Sequence, residues 1–300
     1  MAELTLQQVR CPVCDDHLAR PTFDKNDFSV VECRTCRLRY VNPRPTRQWL
    51  DAWCRHEYFS SSHEETSGVQ HLHHGAIKTA TAQLRLQWLR ESHSKGRLLD
   101  IGCGGGFFVR AAAAAGWDAV GLEPSGEASR CAARAQRIGV IAGRLEEVPF
   151  AAGRFDVITM FDVLEHVLCP RACLVEARRL LAPGGRLMIE TPNMAGWLPR
   201  VMGKRHPWVR PPEHLTYFTP STLRLLLEHC GFQVTQLHGT TRKVLTLEYV
   251  LALVARTNPF ATALLKGTLG RWKTLAAYPF SVPLATMLAI ARPIPQEQSA

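Results

Sequence analysis

The chain is short of acid. Its 300 residues carry 26 Asp and Glu against 36 Lys and Arg, a formal net charge of +10. Nucleic acid, anionic lipid or a small acidic ligand would each suit that balance, which does not choose among them. A leader is also missing. The opening Met-Ala-Glu-Leu-Thr-Leu-Gln has neither a basic n-region nor an apolar h-region, so no secretory signal is read and a cytoplasmic location is expected. No long apolar run goes unbroken. The charge-free stretch 274–291 is interrupted by Pro279 and Pro283, which sets it against a spanning helix of about 20 residues. A disulfide scaffold is lacking too: of ten cysteines, four fall in CxxC pairs, which fits a reducing compartment and a metal. Finally, the dinucleotide fingerprint G-x-G-x-x-G fails, because Phe107 stands at its last glycine position.

What is present is Leu-Leu-Asp-Ile-Gly-Cys-Gly-Gly-Gly over residues 98–106. An apolar strand ends near Asp100, and a turn carrying Gly102, Gly104 and Gly106 leads into an Ala-rich helix. Glycines at a strand-to-helix turn let the backbone approach a ligand closely. A carboxylate at the strand tip repels pyrophosphate and suits a cation. Further on, the run Val-Gly-Leu-Glu123 ends in a second acid, at a spacing that fits hydrogen bonds to ribose hydroxyls. A ligand with a ribose and a positive charge but no phosphate points to S-adenosylmethionine.

Around this core the chain divides into four stretches. Residues 1–45 hold Cys11-x-x-Cys14 and Cys33-x-x-Cys36, with the short alternating run Phe28–Glu32 between them. That is zinc-ribbon spacing, and four thiolates close a tetrahedral ion into a structural site. Residues 46–95 read as linker and lid helices: Asn42-Pro-Arg-Pro45 is rigid, Thr46 caps a helix with Trp49, Leu50 and Trp53 on one face, and 76–92 is basic and amphipathic. The histidines between them (His56, His63, His71, His73, His74) read as a solvated loop. From 97 to 191 strands and helices alternate, which implies a parallel sheet covered on both faces. Strands are expected at 97–101, 118–122, 139–142, 155–161, 185–191 and 232–238. Residues 244–300 are apolar with interspersed Lys and Arg. They are expected to form helices, packed on the core or lying on a membrane surface, where Lys266, Arg271, Lys273 and Arg292 suit anionic headgroups.

With Gly-Leu-Glu123, the run from Phe155 to Val167 and Leu-Ala-Pro-Gly-Gly-Arg-Leu added to the glycine stretch, residues 96–240 resemble class I S-adenosylmethionine-dependent methyltransferases. The resemblance implies an α/β fold: a Rossmann-like seven-stranded sheet over 96–243, with helices on both faces. It also implies roles. Asp100, Gly102, Cys103 and Gly104 would hold the methionine moiety, Glu123 the ribose, Leu145 and Glu146 the adenine, and Phe161 would line the pocket. Arg144 departs from the pattern, standing where many relatives carry Asp. The cysteine stretch is similar to the zinc-binding segment that precedes this domain in a bacterial subgroup associated with sugar, lipid or cell-surface biosynthesis.

Methyl transfer from a sulfonium is an in-line displacement, so alignment of donor and acceptor dominates. An alcohol acceptor also gains from a general base. Candidates are His214, His166 and Glu213, with Glu165 adjacent, and His214 ranks first. Asp162-x-x-Glu165-His166 resembles an acidic-His pattern that binds a divalent ion in some quinone-pathway O-methyltransferases. Arg200, Lys204, Arg205, His206 and Arg210, with Trp197 and Trp208, suit a phosphate or carboxylate on the acceptor. The expected activity is O-methylation of a small-molecule, sugar or lipid-linked acceptor. The alternatives are an RNA methyltransferase gripping RNA through the zinc module, a sugar C-methyltransferase, and, last, a non-catalytic binding module. Asn-Pro-Pro-Tyr is absent after strand four, and Cys169-Pro170 reverses the order found in cytosine-C5 enzymes.

Overall fold

The computed structural model describes residues 3–59, 75–92, 95–246, 279–284 and 286–295. The histidines at 63, 71, 73 and 74 and residues 247–278 of the apolar C-terminal stretch lie outside them.

The first part of the chain folds as short antiparallel strands. β1 (Leu6–Gln7) pairs with β5 (Arg44–Pro45), while β2 (Ala19–Lys25), β3 (Phe28–Cys33) and β4 (Arg39–Val41) form a meander. The β2–β3 turn is Asn26-Asp27, both at positive φ (51° and 63°), a conformation that Asn and Asp tolerate best among side-chain-bearing residues. Helices α1 (Arg47–Phe59) and α2 (Gly75–Ser92) follow.

Then comes the alternating unit. β6 (Arg97–Ile101), α3 (Phe107–Ala114), β7 (Asp118–Glu123), α4 (Gly126–Gln136), β8 (Gly139–Ala142), β9 (Phe155–Phe161), α5 (Pro170–Leu180) and β10 (Leu181–Pro192) alternate as expected. Next are α6 (Trp197–Met202), β11 (Thr216–Tyr217), α7 (Pro220–His229), β12 (Phe232–His238), β13 (Thr241–Thr246), β14 (Pro279–Leu284) and β15 (Thr286–Pro293). The central sheet has seven strands in the order β12-β15-β10-β9-β6-β7-β8, with β15 antiparallel to both of its neighbours. This is the Rossmann-like seven-stranded sheet that the resemblance implied.

Strand periodicity splits the core in two. Leu98, Val157, Met188, Leu288 and Ile290 point to one face, where Leu86 and Leu89 of α2 and Phe108 and Ala112 of α3 cover them. Their neighbours Leu99, Ile158, Leu187, Ile189 and Ala289 point to the other face, under Leu174 and Leu180 of α5 and Leu223 and Leu227 of α7. Successive side chains on a strand alternate faces, so apolar runs without polar breaks mark strands buried on both sides.

Two expectations change. Within the described residues, the C-terminal stretch is strand and not helix: Thr286–Ala291 is buried and fills the slot between β10 and β12. Thr286–Ala291 itself therefore offers no surface to a membrane. Nor is 1–45 a free-standing module. Its sheet takes β11 as a fourth strand, paired antiparallel to β4, and Cys11, Val13, Cys33, Leu38 and Tyr40 pack into the same core cluster as Leu174 and Leu227.

Candidate active site

The parallel strands β6, β7, β9 and β10 bring Asp100, Glu123, Phe161-Asp162 and Glu190 to one edge of the sheet. In open α/β sheets ligands bind at this carboxyl edge. Gly102 and Gly104 hold the connection at φ 66° and 51°. A Cβ on Gly102 would lie 2.6 Å from Val163, whereas one on Gly104 would meet nothing within 4 Å and would stand in the cleft itself. Glu123 braces this loop: its carboxylate accepts from the Gly104 and Ser125 amides, each at 3.0 Å. Each oxygen keeps acceptor capacity for a further donor. Thr159 Oγ1 donates to Asp100 at 2.6 Å. Asp100 is buried, and burial pushes its carboxyl up to about 7 against the pull of Thr159 and Arg85. Burial likewise raises Glu123. Two buried carboxylates beside a bare peptide loop suit a cationic nucleoside.

Phe161 is buried, with Phe108 edge-on at 4.8 Å and the Arg85 guanidinium 4.6 Å above its ring. Leu145 is buried in the core, and Glu146 is turned outward onto Arg47 at 2.7 Å. Cys103 lies in the glycine turn, its amide donating to Leu122 O. Arg144 forms an ion pair with Asp51 of α1.

Asp162 is not free to bind an ion. Although burial works against it, Lys243 and Arg85 hold its carboxyl far below the usual range, at 2.5 and 2.6 Å. Arg85 also donates to Glu190 at 2.7 Å, and Glu190 accepts from Thr241 at 2.8 Å. Glu190 is 1% exposed, so removing its cation would leave a buried charge with one neutral donor. Arg85→Met is expected to destabilise the fold by about 3–5 kcal/mol, read from the denaturant midpoint at unchanged slope.

The histidines meet above β9. Leu164–His166 is a single 3-10 turn, and residues 206–218 fold over it. His166 Nδ1 lies 2.8 Å from the Glu213 carbonyl. A carbonyl only accepts, so Nδ1 carries the proton and Nε2 the lone pair. His214 meets the His166 ring edge-to-face at 4.7 Å, and burial lowers its pKa well below the usual value. Its Nε2 faces the Arg210 guanidinium at 3.4 Å, and a guanidinium has only donors to offer. The Glu213 carboxylate also goes to Arg210, at 2.8 Å. Ligand-capable atoms of Glu165, His166 and His214 lie within 4.8 Å of one another. His214 therefore occupies the place that the sequence pattern gave to Asp162.

The basic insertion divides. His206 is buried against Trp208, and burial pushes its pKa down to about 4. Trp197 and Val201, one turn apart on α6, are 75% and 78% exposed beside exposed Arg200, Lys204 and Arg205.

At the far side of the ribbon, Cys11, Cys14, Cys33 and Cys36 place their sulfurs within 4.8 Å of one another. Cys11 and Cys36 are 3.4 Å apart, and Cys14 and Cys33 3.5 Å. Sulfurs around a tetrahedral ion at about 2.3 Å stand roughly 3.8 Å apart, so the set fits zinc. The Cys36 hydrogen bond and burial push the Cys11 thiol up, and burial raises Cys14 to about 11.

Sequence reasoning missed Arg85, Glu190 and Lys243. The signal for Glu190 was present: an acid ending the apolar run Arg-Leu-Met-Ile-Glu190 has to be buried with a partner.

Comparison with known proteins shows the family and the fold. A family model described as a methyltransferase domain matches residues 71–237. The ubiquinone biosynthesis O-methyltransferase of Pseudomonas aeruginosa UCBPP-PA14 is 32% identical over 187 residues, spanning 56% of this chain and 79% of that protein. Its counterpart in Aromatoleum aromaticum is 32% identical over 184 residues, 56% and 78% of the two chains. Among solved structures, a Bacillus halodurans protein described as a methyltransferase superposes with a TM-score of 0.51 at 20% identity, covering 70% of this chain and 98% of that one. An S-adenosylmethionine-dependent methyltransferase of Thermotoga maritima gives 0.50 at 21% identity, covering 75% and 95%.

Proposed function

We propose, from the premise that this chain belongs to the class I S-adenosylmethionine-dependent methyltransferases, that it methylates an oxygen of a phenolic, lipid-linked acceptor with His166 as the base. Bound S-adenosylmethionine supplies an electrophilic methyl on a sulfonium. Asp100 holds the cofactor's ammonium end. Glu123, already fixed by two amides, receives the ribose hydroxyls. Gly102, Cys103 and Gly104 give the backbone approach, Phe161 walls the pocket, and Leu145 and Glu146 lie on the adenine side.

The observation that carries the oxygen chemistry is the His166 tautomer. With Nδ1 donating to Glu213 O, Nε2 is left to take the acceptor proton. His214 and Glu213 serve as supports: one packs on the ring, and the other fixes it through its carbonyl. The donor set Glu165, His166 and His214 also supports a second reading, in which a divalent ion sits where the proton would and takes the place of the Arg210 guanidinium at His214 Nε2. One oxygen and two imidazoles favour a transition metal over magnesium.

The quinone-pathway relatives support a prenylated phenol over RNA or a sugar carbon. Exposed Trp197 and Val201 with Arg200, Lys204 and Arg205 support presentation of such an acceptor, anionic or lipid-bound, at a membrane surface. No helix among the described residues is long and apolar enough to cross one. The cysteine set supports a structural zinc.

Two measurements test this. Labelled S-adenosylmethionine, offered prenylated catechols, should yield an O-methyl product identified by mass spectrometry; labelling of RNA instead would defeat the assignment. Asp100→Asn should weaken cofactor binding by about 10- to 150-fold in calorimetry, as for the loss of a charged hydrogen bond of about 1.5–3 kcal/mol. The cofactor's cation prefers the ionised carboxylate. Because Asp100 titrates at about 7, wild-type affinity should fall as pH drops below that value, by up to tenfold per unit. The Asn variant should lose the slope.

A further inference from the structure

The segment carrying Glu213 and His214 hangs between two supports. On one side, Leu215 N donates to Glu165 O at 2.9 Å, next to His166 in sequence. On the other, the cysteine ribbon supplies a series of hydrogen bonds. Val41 N donates to Leu215 O at 2.9 Å, and Thr216 and Tyr217 pair with Tyr40 and Arg39. Asn26 Nδ2 donates to Pro211 O at 2.9 Å, and Lys25 Nζ to Lys204 O at 2.8 Å. Beneath these bonds, Phe28, Val30 and Val41 of the ribbon share one core cluster with Val209, Leu215 and Tyr217.

We propose that the ribbon is the rigid back wall of the acceptor pocket, and that Lys25 and Asn26, at its β2–β3 turn, are positioning residues that set His166 through the 204–217 segment; this rests on the acceptor being bound beside His166. The path is short and contiguous. The turn clamps Lys204 and Pro211, the clamp fixes the backbone at Glu213, and the Glu213 carbonyl fixes the His166 ring. Loosening the turn releases the one bond that selects the tautomer with its lone pair on Nε2. The cofactor half of the cleft hangs from β6 and β7 on other contacts, so the two halves respond separately. The ribbon thereby acts on the transfer step without touching either reactant.

The test is the double variant Lys25→Met/Asn26→Gly in the full chain. Met keeps the aliphatic stem without a donor, and Gly accepts the positive φ at residue 26. Both changes lie at a turn next to solvent, so the fold should persist. Two lost hydrogen bonds predict a fall of about five- to a hundredfold in turnover of a prenylated catechol. Deuterium uptake across 206–218 should speed up, while that of 97–123 stays unchanged. The S-adenosylmethionine dissociation constant should stay within about twofold, as it would not if the change merely weakened the fold. Lys25→Arg, which keeps a donor, should behave as wild type. Unchanged exchange at 206–218 overturns the proposal, as does a parallel loss of cofactor affinity. If wild-type protein is inert toward the catechol, the acceptor chemistry fails, and the exchange result alone decides whether the wall is real.

Discussion

Replacing His166 with alanine should lower kcat by about 10²- to 10⁴-fold, the range for removing a positioned general base, and leave cofactor affinity within about twofold. The argument rests on which ring nitrogen is free. Nδ1 of His166 is committed to the Glu213 carbonyl. Nε2 has the Glu165 carboxylate at 4.0 Å. His214, buried and facing Arg210, has its accepting nitrogen occupied. His214→Phe, which keeps a ring against His166, should therefore cost far less than His166→Ala. Equal losses would return the base to His214. Loss of activity restored by an added transition metal in His166→Asn, but not in His166→Ala, would favour the ion reading. Single-turnover kinetics with saturating cofactor measures the step directly.

The second large effect concerns the cysteines. Freshly purified protein should contain one zinc per chain by elemental analysis. Cys33→Ser/Cys36→Ser should lose it together with the folded ribbon. Zinc binding in isolated fingers is worth roughly 10–16 kcal/mol, comparable to a typical domain's whole stability of about 5–15 kcal/mol. Here the loss should spread beyond the ribbon. Val13, between the first pair of cysteines, is fully buried, and its carbonyl accepts from Arg171 at the start of α5 at 2.6 Å. His229 Nδ1 at the end of α7 lies 3.1 Å from the same carbonyl. Without the ion, the apolar faces of α5 and α7 beneath the ribbon would be uncovered. A lowered thermal midpoint with dye binding to exposed apolar surface is expected. An unchanged midpoint on metal removal would show that the four thiols stand without an ion.

Much of the sheet was legible because doubly covered strands write themselves as apolar runs ended by turn residues; β6 and β9 fall where such runs were read. β15 was not legible. Its run, Met-Leu-Ala-Ile-Ala, is short and apolar throughout, so periodicity cannot separate strand from buried helix, and Pro279 and Pro283 read as helix breaks. That Asp100 and Glu123 stand at the ends of two strands was legible from local spacing alone. The Asp162–Arg85–Glu190 cluster was not, because its members meet only through the lateral order of strands. The proposed preference for His166 over His214 as the base was out of reach for a similar reason: it depends on which atom faces each ring nitrogen.

The place of β15 bears on how the molecule is made. The strand that completes the sheet beside β10 leaves the ribosome long after β10 itself, so during synthesis β10 and β12 must wait with exposed lateral edges. A nascent chain in that condition is a natural client for chaperones. Trimming the carboxyl-terminal stretch would take out the keystone of the sheet, so a shortened protein that failed to bind vesicles would say more about its own collapse than about lipid.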